Sequence, residues 1–279
     1  MTQSITGVLF DIDGTILRGA RRLPFVCETL QQLRARKIKV CFFTNDNRTP
    51  IAPWLGRLRS HGIVVGADEV ITSAIVAAEM VAKWCPTGNI LVAGDVGLQE
   101  ALRFHDLHLI DWDSKLSADL VVMGKDPDFD QKRLHIVCQH IWNGAKFVAT
   151  NNDRKMPVGD GYIPATGAMV QAVAYATGTQ PIVTGKPSIH AANVALERMG
   201  RSANVALARM GRSAKDVAIV GDSLTSDIKL GKTAGMTTIL VLTGTHGWDD
   251  VHQLSPEDRP DHVINDLSEL PLILFGENS

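Results

Sequence analysis

Short apolar runs alternate with amphipathic helical patterns along most of this chain, and this alternation constrains its fold more than any other feature. Strands separated by helices are typical of a parallel sheet covered by helices. In the first part of the chain, the predicted strands are 7–10, 39–43 and 70–71, and the predicted helices are 26–36, 50–60 and 75–84. The pattern therefore predicts an α/β fold, a doubly wound parallel sheet with a Rossmann-like core.

The segments that directly follow the predicted strands indicate how this chain of 279 residues divides into domains. Polar or glycine-containing segments follow predicted strands at 11–14, 44–47, 185–186 and 221–222, and ligands bind at this carboxyl edge of a parallel sheet. An intervening stretch lacks such groups, although it has predicted strands at 89–93, 107–110, 119–123 and 147–150 and helices at about 96–104, 130–143 and 166–177. We therefore predict a core of residues 1–75 plus 181–279, with strands at 183, 217–220 and 238–241, and an inserted α/β cap domain of residues 76–180.

Charge and composition exclude several classes of partner. A net charge of −2 and a pI near 6.5 argue against binding to nucleic acid or to an anionic membrane surface. No membrane span is expected, because no apolar run approaches the required length of about 18 residues. No signal peptide is expected either, because the N-terminus leads into the first strand without a basic region and an apolar core. The four cysteines lie far apart, which is typical of reduced thiols in a cytoplasmic protein.

Two aspartates follow the first predicted strand, in the segment Val8–Thr15. Because strand side chains alternate faces, Asp11 and Asp13 are expected to leave the strand end side by side. Carboxylates this close remain ionised together only if a cation lies between them. A calcium loop counted from Asp11 would need a glutamate where Arg22 stands, so a metal-assisted nucleophile site is favoured over a calcium loop or a merely structural turn.

Further polar side chains follow later predicted strands. Thr44 and Asn45 can hold phosphate oxygens, although Thr-Asn is also common turn chemistry. Lys186 can neutralise a phosphate or a crowded carboxylate site, or it can be a solvated lysine. Asp222 suits a magnesium ligand or a helix N-cap, and Asp227 suits a second ligand or a residue that orients the first.

An eleven-residue segment, Ala192–Ser202, is repeated at once as Ala203–Ser213, with Glu197 in the first copy where the second has Ala208. Eleven residues make about three helical turns, so equivalent apolar residues of the two copies would share nearly the same helix face. One continuous helix would contain Gly200, at a cost of about 1 kcal/mol, and looping out one copy is the alternative. We expect the duplication to be tolerated, on the helix side and away from the strand ends.

The order of these motifs is more specific than any one of them, and it resembles the haloacid dehalogenase-like phosphohydrolases over nearly the whole chain. Within that superfamily the chain is similar to the class IIA group, which includes 4-nitrophenylphosphatase-like, nucleotide and pyridoxal-phosphate phosphatases. The segments Phe147–Asp153, Pro164–Ala168 and Gly185–Ser188 carry this closer similarity. The duplication departs from the group's pattern, because it lengthens the segment between Lys186 and Asp222.

The resemblance implies a two-step phosphoryl transfer. Asp11 would be the nucleophile that forms an aspartyl-phosphate, and Asp13 would protonate the leaving oxygen and then activate water. Mg²⁺ would be held by Asp11, by Asp13 through its carbonyl, and by Asp222, with Asp227 as a further candidate ligand.

The resemblance also implies how the substrate is bound. Thr44, Asn45 and Lys186 would hold the transferring phosphoryl group. The cap domain would close over the site and contact the leaving group, with Asn151 and Asp153 as candidate contacts.

The expected activity is therefore Mg²⁺-dependent hydrolysis of a small-molecule phosphomonoester by a cytoplasmic enzyme. Sugar phosphates, nucleotides and cofactor phosphates all fit as substrates. A phosphotransferase on the same core is one alternative, and a non-catalytic phosphometabolite-binding regulator is another. A homodimer formed through the cap would fit the resemblance.

Overall fold

The computed structural model of the chain describes residues 5–158, 161–200 and 214–276. The strands are β1 (Gly7–Asp11), β2 (Leu17–Arg18), β3 (Arg21–Arg22), β4 (Lys39–Thr44), β5 (Val70–Thr72), β6 (Ile90–Ala93), β7 (Leu109–Ile110), β8 (Leu120–Met123), β9 (Lys146–Ala149), β10 (Lys155–Val158), β11 (Gly161–Pro164), β12 (Ile182–Val183), β13 (Val217–Gly221), β14 (Thr237–Val241) and β15 (His262–Ile264). The α-helices are α1 (Val26–Ala35), α2 (Ile51–Ser60), α3 (Ser73–Trp84), α4 (Val96–Arg103), α5 (Gln131–Trp142), α6 (Thr166–Thr177), α7 (Ile189–Arg198), α8 (Lys229–Ala234), α9 (Trp248–His252) and α10 (Leu270–Phe275).

Contacts along the chain define two compact units. The first comprises residues 1–44, 55–71 and 186–279, and the second comprises residues 45–54 and 72–185. These bounds differ from the predicted insertion of 76–180, because 45–54, 72–75 and 181–185 also belong to the second unit. The division of roles between a core and a cap stays a prediction.

The main sheet has six strands in the order β15-β14-β13-β1-β4-β5. The chain starts in the middle at β1, continues outward through β4 and β5, and later returns to the other side of β1 as β13, β14 and β15. β1 pairs in parallel with both β4 and β13. This order is that of a doubly wound sheet, and it confirms the predicted Rossmann-like α/β fold.

The first strand shows why the main sheet is buried. Val8, Leu9 and Phe10 are each fully buried, although they alternate between the two faces of the sheet. A strand that is apolar on both faces is typical of a parallel sheet with helices on either side. The polar ends of such a strand are the only parts that can present chemistry to a ligand.

The second unit has a parallel sheet of its own, in the order β12-β9-β8-β6-β7. Its strands are also apolar on both faces. Leu91 and Val121 pack in a cluster with α5 and α6, whereas Ile90 and Leu120, one residue earlier, pack in a cluster with α3 and α4. The one-residue alternation therefore produces two cores, one on each face of the sheet.

The structure corrects one strand assignment. The strand predicted at Val183 for the core pairs instead in parallel with β9 of the second sheet, through Ile182 with Val148 and Val183 with Ala149. The ladder continues when Gly185 donates from its backbone N–H to the carbonyl of Thr150 at 2.7 Å. A two-residue strand carries no pattern that distinguishes one parallel sheet from another.

The duplicated segment is described only in part. α7 ends at Arg198, and Gly200 adopts a left-handed φ of 71°, which is typical of a helix C-terminus. The helix is therefore not continuous through Gly200. The whole second copy and the last two residues of the first copy lie outside the described residues.

No helix in the described ranges is both long enough and apolar enough to cross a membrane.

Candidate active site

Three carboxylates lie together at the carboxyl edge of the main sheet. Asp11 is the last residue of β1, Asp222 directly follows the neighbouring strand β13, and Asp227 lies one turn further on. All three are buried, and one carboxylate oxygen from each lies within 4.8 Å of the others. The chain order reverses direction between β1 and β13, which is the point of a doubly wound sheet where ligands bind.

Lys186 is the cation of this cluster. Its Nζ lies 2.6 Å from Oδ1 of Asp11, 2.7 Å from Oδ1 of Asp227 and 3.0 Å from the carbonyl oxygen of Phe43. The residue is only 3% exposed, so the solvated alternative is wrong. Burial by itself lowers the pKa of Lys186, but the two carboxylates outweigh burial and raise that pKa above its ordinary value.

Negative charge exceeds positive charge in this cluster. Burial raises the pKa of Asp11 well above its ordinary value of 3.8, Asp227 and Asp222 raise it further, and Lys186 offsets only part of this. Burial, followed by Asp227, also raises the pKa of Asp222. A raised pKa means that a group holds its proton more tightly than the isolated group does. This is true here of the two acids and of the lysine.

Asp13 is exposed, unlike the three buried acids. Its side chain is 56% exposed, and its Oδ1 is 3.9 Å from the Nη2 of Arg57. The predicted side-by-side pair of Asp11 and Asp13 rests on strand alternation, but β1 ends at Asp11, so that alternation does not continue to Asp13. Ile12 is fully buried, and Gly14 turns the chain with a φ of 97°.

The predicted phosphate-binding pair is divided between the two units. Thr44 is buried at the end of β4 in the first unit. Asn45 belongs to the second unit, where its Nδ2 lies 3.2 Å from Oδ2 of Asp153. Nδ2 of Asn151 donates to the carbonyl of Asn45 at 2.8 Å, and Oδ1 of Asn151 accepts from the backbone N–H of Asp153 at 3.2 Å. The predicted cap residues Asn151 and Asp153 therefore both contact Asn45.

Sequence reasoning missed the residues that hold the acids in place. The backbone N–H of Ser223 donates to Oδ2 of Asp227 at 3.1 Å. Thr245, on the loop after β14, donates to Asp222 from both its backbone N–H and its hydroxyl. The signal that could have found Thr245 is its place, because it follows an apolar strand at the same edge of the sheet as Asp222.

The donor set fits a divalent cation of the Mg²⁺ type. Three buried carboxylates converge against one lysine, so the cluster retains excess negative charge. Carboxylate oxygens are the ligands that hard divalent cations prefer.

Comparisons with known proteins match the chain to one family of hydrolases. A family model described as haloacid dehalogenase-like hydrolase matches residues 8–108, and a second one, described as HAD-hydrolase-like, matches residues 183–270. The acid sugar phosphatase of Staphylococcus saprophyticus is 32% identical over 262 residues, which cover 94% of this chain and 95% of that protein.

Two solved structures extend the comparison. The p-nitrophenyl phosphatase from Archaeoglobus fulgidus has a TM-score of 0.84 and 32% identity, covering 95% of this chain and 97% of that chain. The glycerol phosphate phosphatase from Mycobacterium tuberculosis, solved in complex with magnesium, has a TM-score of 0.81 and 29% identity, covering 96% of this chain and 77% of that chain. These similarities confirm the resemblance expected from the motifs. The chain therefore belongs to the haloacid dehalogenase-like hydrolases, and it is a phosphoric monoester hydrolase of that family.

Proposed function

We propose that this enzyme hydrolyses small phosphomonoesters through an aspartyl-phosphate formed on Asp11. The observation that carries the proposal is the contact between Lys186 and Asp11, 2.6 Å apart and buried at the carboxyl edge of the sheet. A buried carboxylate held by a lysine and lying at a ligand-binding edge is fixed in orientation for attack on phosphorus.

The reaction has two steps. In the first, an oxygen of Asp11 attacks phosphorus, the bond from phosphorus to the ester oxygen breaks, and Asp13 gives its proton to that oxygen. In the second, Asp13 takes a proton from water while the water oxygen attacks the phosphorus, which releases phosphate and restores the Asp11 carboxylate. The exposed side chain of Asp13 suits this exchange, since it can reach both water and a leaving group.

The phosphoryl group is held by Thr44, Asn45 and Lys186 in this proposal. Lys186 supplies positive charge where the transferring group gains negative charge. A hydroxyl from Thr44 and an amide from Asn45 would add hydrogen bonds to the phosphoryl oxygens.

Asp11, Asp222 and Asp227, with the backbone carbonyl of Asp13, are the groups that would hold Mg²⁺. When bound, the metal supplies the positive charge that the buried carboxylates and the phosphoryl oxygens together require. Support comes from the convergence of the three acids and from the magnesium complex of the similar glycerol phosphate phosphatase.

We assign the choice of substrate to the inserted region, residues 76–180. Asn151 and Asp153 are its candidate substrate residues, and their contacts with Asn45 support a link between substrate and phosphate binding. The names of similar proteins point to sugar and glycerol phosphates as substrates to try first. Measuring phosphate release from a panel of phosphorylated metabolites, including nucleotides, would identify the class of substrate.

The proposal places the enzyme in the cytoplasm, as a homodimer formed through the inserted region. The four cysteines are free thiols, which suits a reducing compartment. Tyr162 and Ile163 on β11 are exposed apolar side chains that would suit an interface. Sedimentation velocity would measure the assembly state.

The substitution Asp11→Asn tests the proposal. Release of 4-nitrophenol from 4-nitrophenyl phosphate should fall by a factor on the order of 10⁴ or more, because the nucleophile is lost. Asp95→Asn is the matched control, since Asp95 also lies near the end of a strand but only caps α4, and asparagine caps helices equally well. An Asp11→Asn protein that kept about a tenth of the wild-type rate would remove Asp11 from its role. Transfer of phosphate to an added alcohol in place of water would favour the phosphotransferase alternative.

A further inference from the structure

Asp222 is held by a loop that none of the predicted motifs includes. Oδ2 of Asp222 accepts a hydrogen bond from the backbone N–H of Thr245 at 2.6 Å and another from its hydroxyl at 2.7 Å. A carboxylate oxygen has two lone pairs, so these donors occupy Oδ2. Among the described residues no hydrogen bond reaches Oδ1 of Asp222, which leaves that oxygen for a cation.

Two glycines make room for this arrangement. A Cβ added to Gly14 would lie 2.3 Å from Oδ2 of Asp222, and one added to Gly244 would lie 1.9 Å from it. Both distances are far shorter than any non-bonded contact, so a side chain at either position would displace the carboxylate. The carboxylate of Asp222 is therefore enclosed by two backbone segments and fixed by Thr245.

The same loop also contacts the turn after the first strand. The hydroxyl of Thr243 donates to the carbonyl of Gly14 at 2.6 Å, and the backbone N–H of His246 donates to the carbonyl of Asp222 at 3.2 Å. The loop thus joins the segment that carries Asp11 and Asp13 to the segment that carries Asp222.

We propose that Thr245 is a positioning residue, which fixes Asp222 through Oδ2 so that Oδ1 is presented to the metal ion. This inference rests on the proposed function, because it takes Asp222 to be a Mg²⁺ ligand. Groups that orient a metal ligand by hydrogen bonding typically contribute about 10–100-fold to metal affinity. Thr245 keeps its backbone donor in any variant, so loss of the hydroxyl should cost about tenfold, the lower end of that range.

The test is a Mg²⁺ titration of protein freed of metal with a chelator and without substrate, followed by the rise in melting temperature. In Thr245→Val, the Mg²⁺ concentration at half-maximal rise should increase about tenfold. Thr245→Ser should restore the wild-type value, because serine keeps the hydroxyl and loses only a methyl group. Thr245 is exposed, so neither change removes a core side chain. If valine nevertheless unfolds the protein, Thr245→Ala takes its place with the same expectation.

Thr233→Val is the matched control. It removes an exposed hydroxyl that bonds only within its own helix, to the carbonyl of Lys229 at 2.8 Å, and it should leave the Mg²⁺ titration unchanged. Suppose that Mg²⁺ raises the melting temperature of the wild-type protein and that Thr245→Val needs the same Mg²⁺ concentration for half of that rise. This result would overturn the role of Thr245 but not the proposed metal site. A wild-type protein that does not respond to Mg²⁺ would overturn the proposed metal site, and this inference with it.

Discussion

At the level of single residues, Lys186 offsets part of the negative charge of the site. It lies among three buried carboxylates and contacts two of them directly, at 2.6 and 2.7 Å. Removing one partner of a buried ion pair is costly because the other charges stay buried without compensation. The same residue that would bind the phosphoryl group therefore also stabilises the folded site.

Lys186→Met should lower the free energy of unfolding by about 3–5 kcal/mol at neutral pH, because Asp11 and Asp227 lose their counter-charge. Lys232→Met is the matched control, since Lys232 pairs with Asp261 at 2.8 Å but the two side chains are 31% and 42% exposed. That pair should contribute at most about 1 kcal/mol. Urea unfolding of the metal-free proteins measures both values, and equal losses would contradict the role assigned to Lys186.

The raised pKa values of Asp11 and Asp222 determine how stability depends on pH. Between the ordinary value of 3.8 and the raised values, the folded protein binds more protons than the unfolded chain. The free energy of unfolding of the metal-free protein should therefore fall as pH rises through this window. The stabilising contribution is complete below pH 3.8 and is lost above the raised pKa values.

The contribution of Asp11 is isolated by subtracting the free energy of unfolding of the Asp11→Asn variant from that of the wild-type protein at each pH. This subtraction cancels the contributions of other groups, such as Asp261, whose pKa is lowered because hydrogen bonds from Lys232 and Thr238 outweigh burial. Urea unfolding of both proteins, in the presence of a chelator and at a series of pH values, gives this difference in the free energy of unfolding. A wild-type protein that gained stability over the variant as pH rose would contradict the raised pKa of Asp11.

At the level of elements, strongly patterned segments could be predicted from sequence and weakly patterned ones could not. β1 and α3 were predictable because several consecutive residues show one apolar pattern. The hairpin of β10 and β11 was missed because β11 is exposed along its whole length and so has no apolar face. The two-residue strand β12 was placed in the wrong sheet for the same lack of pattern.

The candidate site shows the same limit. The acids at the ends of β1 and β13 could be predicted to meet, because neighbouring parallel strands end at one edge. The exposed position of Asp13 could not be predicted, because it depends on a turn at Gly14 that begins where the strand ends. The place of Thr245 after an apolar strand could be predicted, but its contact with Asp222 could not, because that contact joins two loops 23 residues apart in the sequence.

The duplicated segment gives a prediction about a whole element. α7 buries Val194 and Leu196 of the first copy, and Met199 packs near Gly7, so the first copy already supplies the packed face of the helix. Deletion of 203–213 should therefore leave kcat/KM for 4-nitrophenyl phosphate within about threefold of wild type, since no site residue lies in that segment. Deletion of 26–36, which is the same length but removes α1 and its buried side chains, should abolish folding. A large loss of activity in the first deletion would contradict the expected tolerance.

At the level of the whole molecule, the order in which the chain forms the strands of the main sheet explains the position of the candidate site. The main sheet starts in its middle at β1 and is extended first on one side and then, after residues 72–185, on the other. Asp11 and Asp222 therefore come from distant parts of the sequence but end neighbouring strands. In the proposed function the main sheet supplies the reaction, and the second unit, which has its own sheet and cores, determines the substrate.

Direct detection of phosphoryl-Asp11 tests the proposed mechanism most sharply. Asp13→Asn should slow the breakdown of the intermediate, whereas its formation from 4-nitrophenyl phosphate needs no acid, because nitrophenolate is a good leaving group. Acid-quenched Asp13→Asn, digested and analysed by mass spectrometry, should carry a phosphoryl group on the peptide that contains Asp11, and Asp11→Asn should carry none. A phosphoryl group on another residue, or hydrolysis at the wild-type rate by Asp11→Asn, would contradict the mechanism.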